Sequence, residues 1–171
     1  MTILTVVAEP TLLGIHATDE VPASTLPIGL SSGLGFRTLL RIVVPVTAGD
    51  VLDVSGRARV TNDTSPGYTV GVGYHLWMYD ADNGLGSAGS WTRISSLCGD
   101  NVSRDRHHMP LLVDTVYTVP ADWPVNPDTG IPHRMTVVLR GDAMSTLADG
   151  QSITVDKEYG QLTLRRYRPA A

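Results

Sequence analysis

The sequence predicts an all-β protein: an antiparallel β-sandwich, read as an eight-stranded jelly roll, behind an extended N-terminal arm. Three observations predict it. Eight segments between residues 36 and 167 carry strand patterning and are separated by turn-forming residues. No long stretch shows the apolar period of an amphipathic helix. Asp outnumbers Glu fourteen to three, with much Val, Thr and Gly. Asp favours turns and caps whereas Glu favours helices, so this composition leans to strands and loops.

The elements follow in order. Residues 1–35 read as an arm, because Pro10 interrupts the apolar stretch from Val6 to Ile15. Pro22, Pro27, Gly29, Gly33 and Gly35 then punctuate a polar run. Such a segment buries little by itself and is expected to be extended or to lie on a partner. From Phe36 the pattern changes. Leu40, Ile42, Val44 and Val46 alternate with Leu39, Arg41 and Val43, which predicts a strand with one apolar face. Ala48-Gly49-Asp50 is a turn signal. Leu52, Val54, Ala58 and Val60 alternate with Asp53, Ser55, Arg57 and Arg59 as a second strand. Tyr68, Val70, Val72, Tyr74, Leu76 and Met78 form the clearest period-two series. Residues 91–97, 111–119, 134–140, 152–156 and 161–167 supply five more strands. A short helical turn is expected over residues 142–148, with Asp142 as its cap. The domain organisation is therefore an arm over 1–35 and a sandwich over 36–171. An immunoglobulin-like sandwich is the alternative fold, but the single cysteine leaves no Cys…Trp…Cys framework.

A chain of 171 residues is long enough to bury a core without a disulfide or a metal. Its formal charge of −4 argues against a dedicated nucleic-acid binder, which carries a basic excess. Cys98 stands alone, so an intramolecular disulfide and a cysteine zinc site are excluded, and a small buried residue is the default reading. No apolar run reaches the ~18 residues of a membrane span. The first residues lack a basic n-region, so no secretory leader is expected.

Several motifs resemble chemistry and fail on context. Gly29-Leu-Ser31-Ser-Gly33 matches the G-x-S-x-G nucleophile elbow, which needs a strand before the serine and a helix after it. Pro27 precedes it and a predicted strand follows. Gly84-Leu-Gly86-Ser-Ala-Gly89 matches G-x-G-x-x-G, yet strand-like residues follow where a helix must hold the pyrophosphate. Asp80, Asp82 and Gly84 resemble the start of a calcium loop, but Trp91 occupies its twelfth position. The histidines His16, His75, His107, His108 and His133 lack chelating spacing, so no metal or cofactor is expected. Asn62 and Asn101 head glycosylation sequons and read as loop residues. Asp100, Asp105, His107 and His108 crowd one polar loop, where nothing orients a nucleophile against a base. Arg165, Arg166 and Arg168 read as a basic end that neutralises an acidic neighbour or solubilises the terminus.

The face opposite the third strand's apolar series carries Gly71, Gly73, His75, Trp77 and Tyr79. Strand glycines leave room for close approach of another group. Trp and Tyr are enriched in interface hot spots. With Trp91, these residues are the candidate contact with a partner or a glycan. The competing reading is that this face packs under the second sheet or the arm.

The arm-plus-sandwich layout, with the stretches Thr47-Ala-Gly-Asp-Val-Leu-Asp-Val-Ser-Gly-Arg-Ala and Gly73-Tyr-His-Leu-Trp-Met-Tyr, resembles accessory virion proteins of actinobacteria-infecting phages. These are capsid-decoration and minor tail or fibre proteins. The resemblance implies a non-enzymatic structural protein of the virion, in a homo-oligomer, often a trimer, attached to capsid or tail subunits. The alternative is a carbohydrate-binding module that presents Trp77, Trp91, Trp123 and Tyr79 to host glycan. A hydrolase acting from the loop of Asp100 to His108 is the third reading, resting on fold-level analogy.

Overall fold

The computed structural model describes residues 10–18, 37–62, 69–83, 91–103, 109–143, 153–156 and 159–169. Among them are nine strands: β1 (Thr11–Thr18), β2 (Arg37–Pro45), β3 (Val51–Asn62), β4 (Thr69–Asp80), β5 (Thr92–Ser103), β6 (Met109–Thr118), β7 (Arg134–Ala143), β8 (Ile153–Val155) and β9 (Gln161–Arg168). They form two antiparallel sheets. The first runs β1-β9-β3-β6, with β8 also on β3, and the second runs β2-β7-β4-β5. Leaving β8 aside, the eight long strands divide between two four-stranded sheets and change sheet at every step but β4 to β5, which is a jelly-roll sandwich.

The eightfold count needs a correction in its membership. Residues 11–18, expected in the arm, pair with β9 and supply the first jelly-roll strand. The expected strand over 152–156 is instead the three-residue β8, off the main path. The expected boundary after residue 35 therefore falls behind the sandwich's first strand. Pro10 precedes β1 and does not interrupt it, as proline tolerates a strand's leading edge. A register shift between Leu12 and Gly14 then bends it.

The core follows from side-chain alternation. Leu52, Val54, Ala58 and Val60 of β3 face Tyr74, Leu76 and Met78 of β4 and Met135, Val137 and Leu139 of β7 across the sandwich, all buried. Leu162 and Leu164 of β9 complete the layer. Gly56 leaves room for side chains of the facing sheet. A Cβ there would lie 3.0 Å from Leu139 Cδ1 and 3.2 Å from Leu76 Cδ2. Leu39, expected on the solvent side, is buried because β2 shifts register between Thr38 and Leu40. The turn before β3 is closed by Asp50, whose Oδ2 accepts from the Thr47 amide at 2.9 Å. Gly49 takes φ +84°, a conformation that glycine adopts without a side-chain clash.

Three further expectations change. Asp142 lies within β7 and caps no helix. Residues 99–103, expected in a loop, continue β5. Asn62 is fully buried at the end of β3, so the first sequon is not a surface loop. The three arginines near the end form strand β9 with specific partners. Arg165 bonds Asp53 at 3.1 Å, while Arg166 and Arg168 converge on Asp50 at 2.7 and 3.2 Å. No helix of the described residues is long and apolar enough to cross a membrane.

Candidate functional site

The outer face of the β2-β7-β4-β5 sheet carries the candidate residues, and register decides what surrounds them. Central strand β4 places Gly73, His75, Trp77 and Tyr79 opposite Asp142, Arg140, Val138 and Thr136 of β7. On its other edge β5 brings Ser96 against His75 and Arg93 against Trp77. Both sets of β4 side chains are consequently covered. His75 and Tyr79 are each 5% exposed, on the face expected to meet a partner.

Among the described residues, rings and guanidinium groups lie over this face. Tyr79 stacks on Trp91, with ring centroids 4.5 Å apart and an interplanar angle of 26°. Arg140 lies 4.7 Å from the Trp91 ring and 5.8 Å from Trp77, and Arg93 lies 5.9 Å from Trp77. Cations at such distances are attracted by the negative ring face. Burial lowers the pKa of Arg140. Thr136 and Val138, in register with Tyr79 and Trp77, are 2% and 1% exposed. Among the described residues, the sheet supplies this outer layer from its own side chains and Trp91.

Beside it stands a three-residue hydrogen-bonded row. His75 Nε2 lies 3.0 Å from Asp142 Oδ1, and His75 Nδ1 lies 2.9 Å from Ser96 Oγ. An ionised carboxylate only accepts, so the Asp142 contact assigns the ring proton to Nε2 and leaves Nδ1 to accept from the serine hydroxyl. The histidine is the buried member of the row: Ser96 is at the surface, the His75 side chain is 6% exposed and that of Asp142 30%. Gly73 makes the row geometrically feasible. A Cβ at that position would collide with Asp142 Oδ1 and His75 Nε2. The strand glycine was legible in the sequence as a sign of close approach, but Asp142 and Ser96 were missed. Only their type and the β-pattern of residues 91–97 could have hinted at them.

The remaining candidates separate. Gly71 is half-buried on the same face. Trp123, far from Trp77 in the chain, packs against the core and donates its indole N–H to the His133 carbonyl at 2.8 Å. Asp80 serves a turn: its Oδ1 accepts from the amides of Asp82 and Asn83, and its Oδ2 lies 2.7 Å from His133 Nδ1. Asp82 is bound by Arg134 through its guanidinium and its amide, which holds the carboxyl below the usual range. Cys98 sits opposite Gly73 in register. Ser31, Gly84–Gly89, Asp105, His107 and His108 lie outside the described residues, as do the side chains of Asp100 and Asn101. Among the described residues no three His, Cys, Asp or Glu side chains gather to hold a metal ion. A recess of about 360 Å³ lies at the end of the first sheet, lined by Arg57, Arg59, Pro110, Tyr159 and Gln161.

The outer face of the first sheet differs in kind. Register aligns Ile15, Arg165, Asp53 and Val116 in one row across four strands. Leu12, Tyr167, Val51 and Thr118 form the row beside it. Ile15 is 60% and Val116 68% exposed, and Leu12 and Leu112 are about half exposed. The central charges of the first row pair with each other.

No protein-family model matches the sequence, and no curated protein matches it. The chain is similar to the solved structure of Eiger TNF from S. frugiperda, with 11% sequence identity and a TM-score of 0.38. The match covers 75% of this chain and 66% of that chain's length, just under two thirds.

Proposed function

We propose that the chain is a structural protein of a phage particle, a capsid-decoration or minor tail component, in contact with other virion subunits through the outer face of the β1-β9-β3-β6 sheet. The observation that supports this reading is the set of exposed aliphatic side chains, Leu12, Ile15, Leu112 and Val116, that border a flat face with a self-neutralised centre. They stand in two pairs on the edge strands β1 and β6, on either side of the Arg165–Asp53 pair, and burial of exposed apolar surface stabilises a contact by about 25 cal/mol per Å². Face-to-face contact suits this sheet better than strand addition. The register shift in β1 and Pro110 at the start of β6 blunt its two edges. The other outer face carries a layer of its own rings and arginines.

The occupant we assign is another subunit of the particle, a second copy included. Light scattering of the full chain is expected to return the mass of a closed oligomer. Ile15→Lys with Val116→Lys is expected to return a monomer whose circular dichroism spectrum matches that of the folded wild type. An unchanged oligomer in the double variant would remove this face from the reading. The virion assignment itself is tested on purified particles. The chain is expected to travel with them through a density gradient, and particles lacking it would overturn the assignment.

A further inference from the structure

We propose that Ser96, His75 and Asp142 form a nucleophile, base and positioning group that transfer a small acyl group from an ester to Ser96 Oγ and then to water. The inference is independent of the assembly reading, since it concerns the opposite outer face of the sandwich.

The geometry meets the two distances that such a relay requires. The nucleophile hydroxyl lies within hydrogen-bond reach of the base, and the base within reach of an orienting carboxylate, at 2.9 and 3.0 Å. The ring proton assigned to Nε2 by Asp142 leaves the Nδ1 lone pair aimed at Ser96. The three residues come from three different strands, β5, β4 and β7, and meet only because register aligns them. Gly73 supplies the missing volume.

The step balances as follows. Ser96 Oγ bonds to the ester carbonyl carbon while its proton passes to His75 Nδ1. The bond to the alcohol oxygen breaks, and the departing alcohol takes that proton. Water then attacks the acyl-serine carbonyl, gives a proton to Nδ1 and releases the carboxylic acid, and Ser96 recovers its hydrogen from the imidazolium. Asp142 stabilises the imidazolium and stays ionised. Arg140, opposite His75 in register, and Arg93, opposite Trp77, bring two cations to this face.

The substrate class follows from the surroundings. Ser96 stands exposed on an edge strand of the sheet and is not enclosed by a cleft among the described residues. A small ester projecting from a larger molecule, such as an O-acetyl group, can reach it.

The test uses the full-length chain and a fluorophosphonate probe. Ser96 Oγ would displace fluoride from phosphorus, its proton passing to His75. Intact-mass and peptide analysis are expected to find one probe per chain, on Ser96. Ser96→Ala, a surface change that leaves the core intact, is expected to abolish labelling. His75→Gln is expected to slow it by roughly 100-fold or more, the scale of general base catalysis. Circular dichroism on each variant separates loss of chemistry from loss of fold. Asp142→Asn is expected to lower kcat for p-nitrophenyl acetate while KM holds. Ile15→Lys with Val116→Lys is expected to leave labelling unchanged, which separates this inference from the assembly reading. Folded wild-type protein unlabelled at Ser96, or labelling equally fast in folded His75→Gln, would overturn the proposal.

Discussion

The two outer faces of the sandwich solve the same problem differently. Each lies behind a strand whose alternate residues fill the core. On the first sheet the outward set of β3, Asp53, Ser55, Arg57 and Arg59, stays half-buried or exposed, and the aliphatic side chains at the margins stay in water. On the second sheet the outward set of β4 is buried beneath its own rings, guanidinium groups and Trp91. The difference teaches that an outward-facing set rich in Gly, His, Trp and Tyr builds a second, thinner layer. Aromatic rings are large enough to cover neighbouring strands, and arginines cap them at modest desolvation cost.

The strongest way to break this comparison is to remove the ring that joins β4 to the covering layer. Tyr79→Ala is expected to cost about 3 kcal/mol, the scale of a buried aromatic truncation, read from the urea midpoint. Val116→Ala on the open face is expected to change stability by less than about 0.5 kcal/mol. Equal costs would mean that the two faces do not differ in the way described.

A finer test addresses the space beneath the layer. Gly73→Ala is expected to destabilise by about 1–3 kcal/mol, because the new methyl collides with Asp142 and His75. In an Asp142→Ala background the added cost is expected to shrink, and a double-mutant cycle measures the coupling. Strict additivity would show that the glycine serves something other than the histidine–aspartate pair.

The smallest expected effect is an acid dependence at the end of the second sheet. The Arg134 hydrogen bonds depress the Asp82 pKa, so this carboxylate binds its proton less readily folded than unfolded. Its contribution is therefore present above the unfolded value of about 4 and is lost as pH falls through the depressed folded value. The pair is exposed, so the effect is small. Unfolding midpoints from pH 6 to pH 2 are expected to fall less steeply in Asp82→Asn than in wild type. Parallel curves would refute the linkage.

Much of the fold was legible because strand patterning is local. The inward faces of β3 and β4 followed from period-two alternation alone, and β7 was expected as a strand. Strand β1 was not legible. Leu12, Leu13 and Ile15 are exposed in an edge strand with a register shift, so no alternation marks them, and Pro10 makes the segment resemble a linker. Leu39 was misassigned for the same reason, as a register shift reverses the side-chain parity. At the site, the need for cover over Gly71 and Gly73 was legible, while the covering groups were not. Asp142 precedes a polar run and reads as a cap, yet it lies 67 residues from His75 in sequence and meets it through pairing.

By itself the sequence determined the strand content, the apolar faces and the turn before β3, since each depends on residues within a few positions of one another. Only the tertiary structure decided which strands became neighbours. That choice carried Ser96 and Asp142 to His75, brought Arg166 and Arg168 to Asp50, and set Ile15 in one row with Val116. Strand order and register rest on the packing of the two inner faces against each other, a non-local energy that no short window of residues contains.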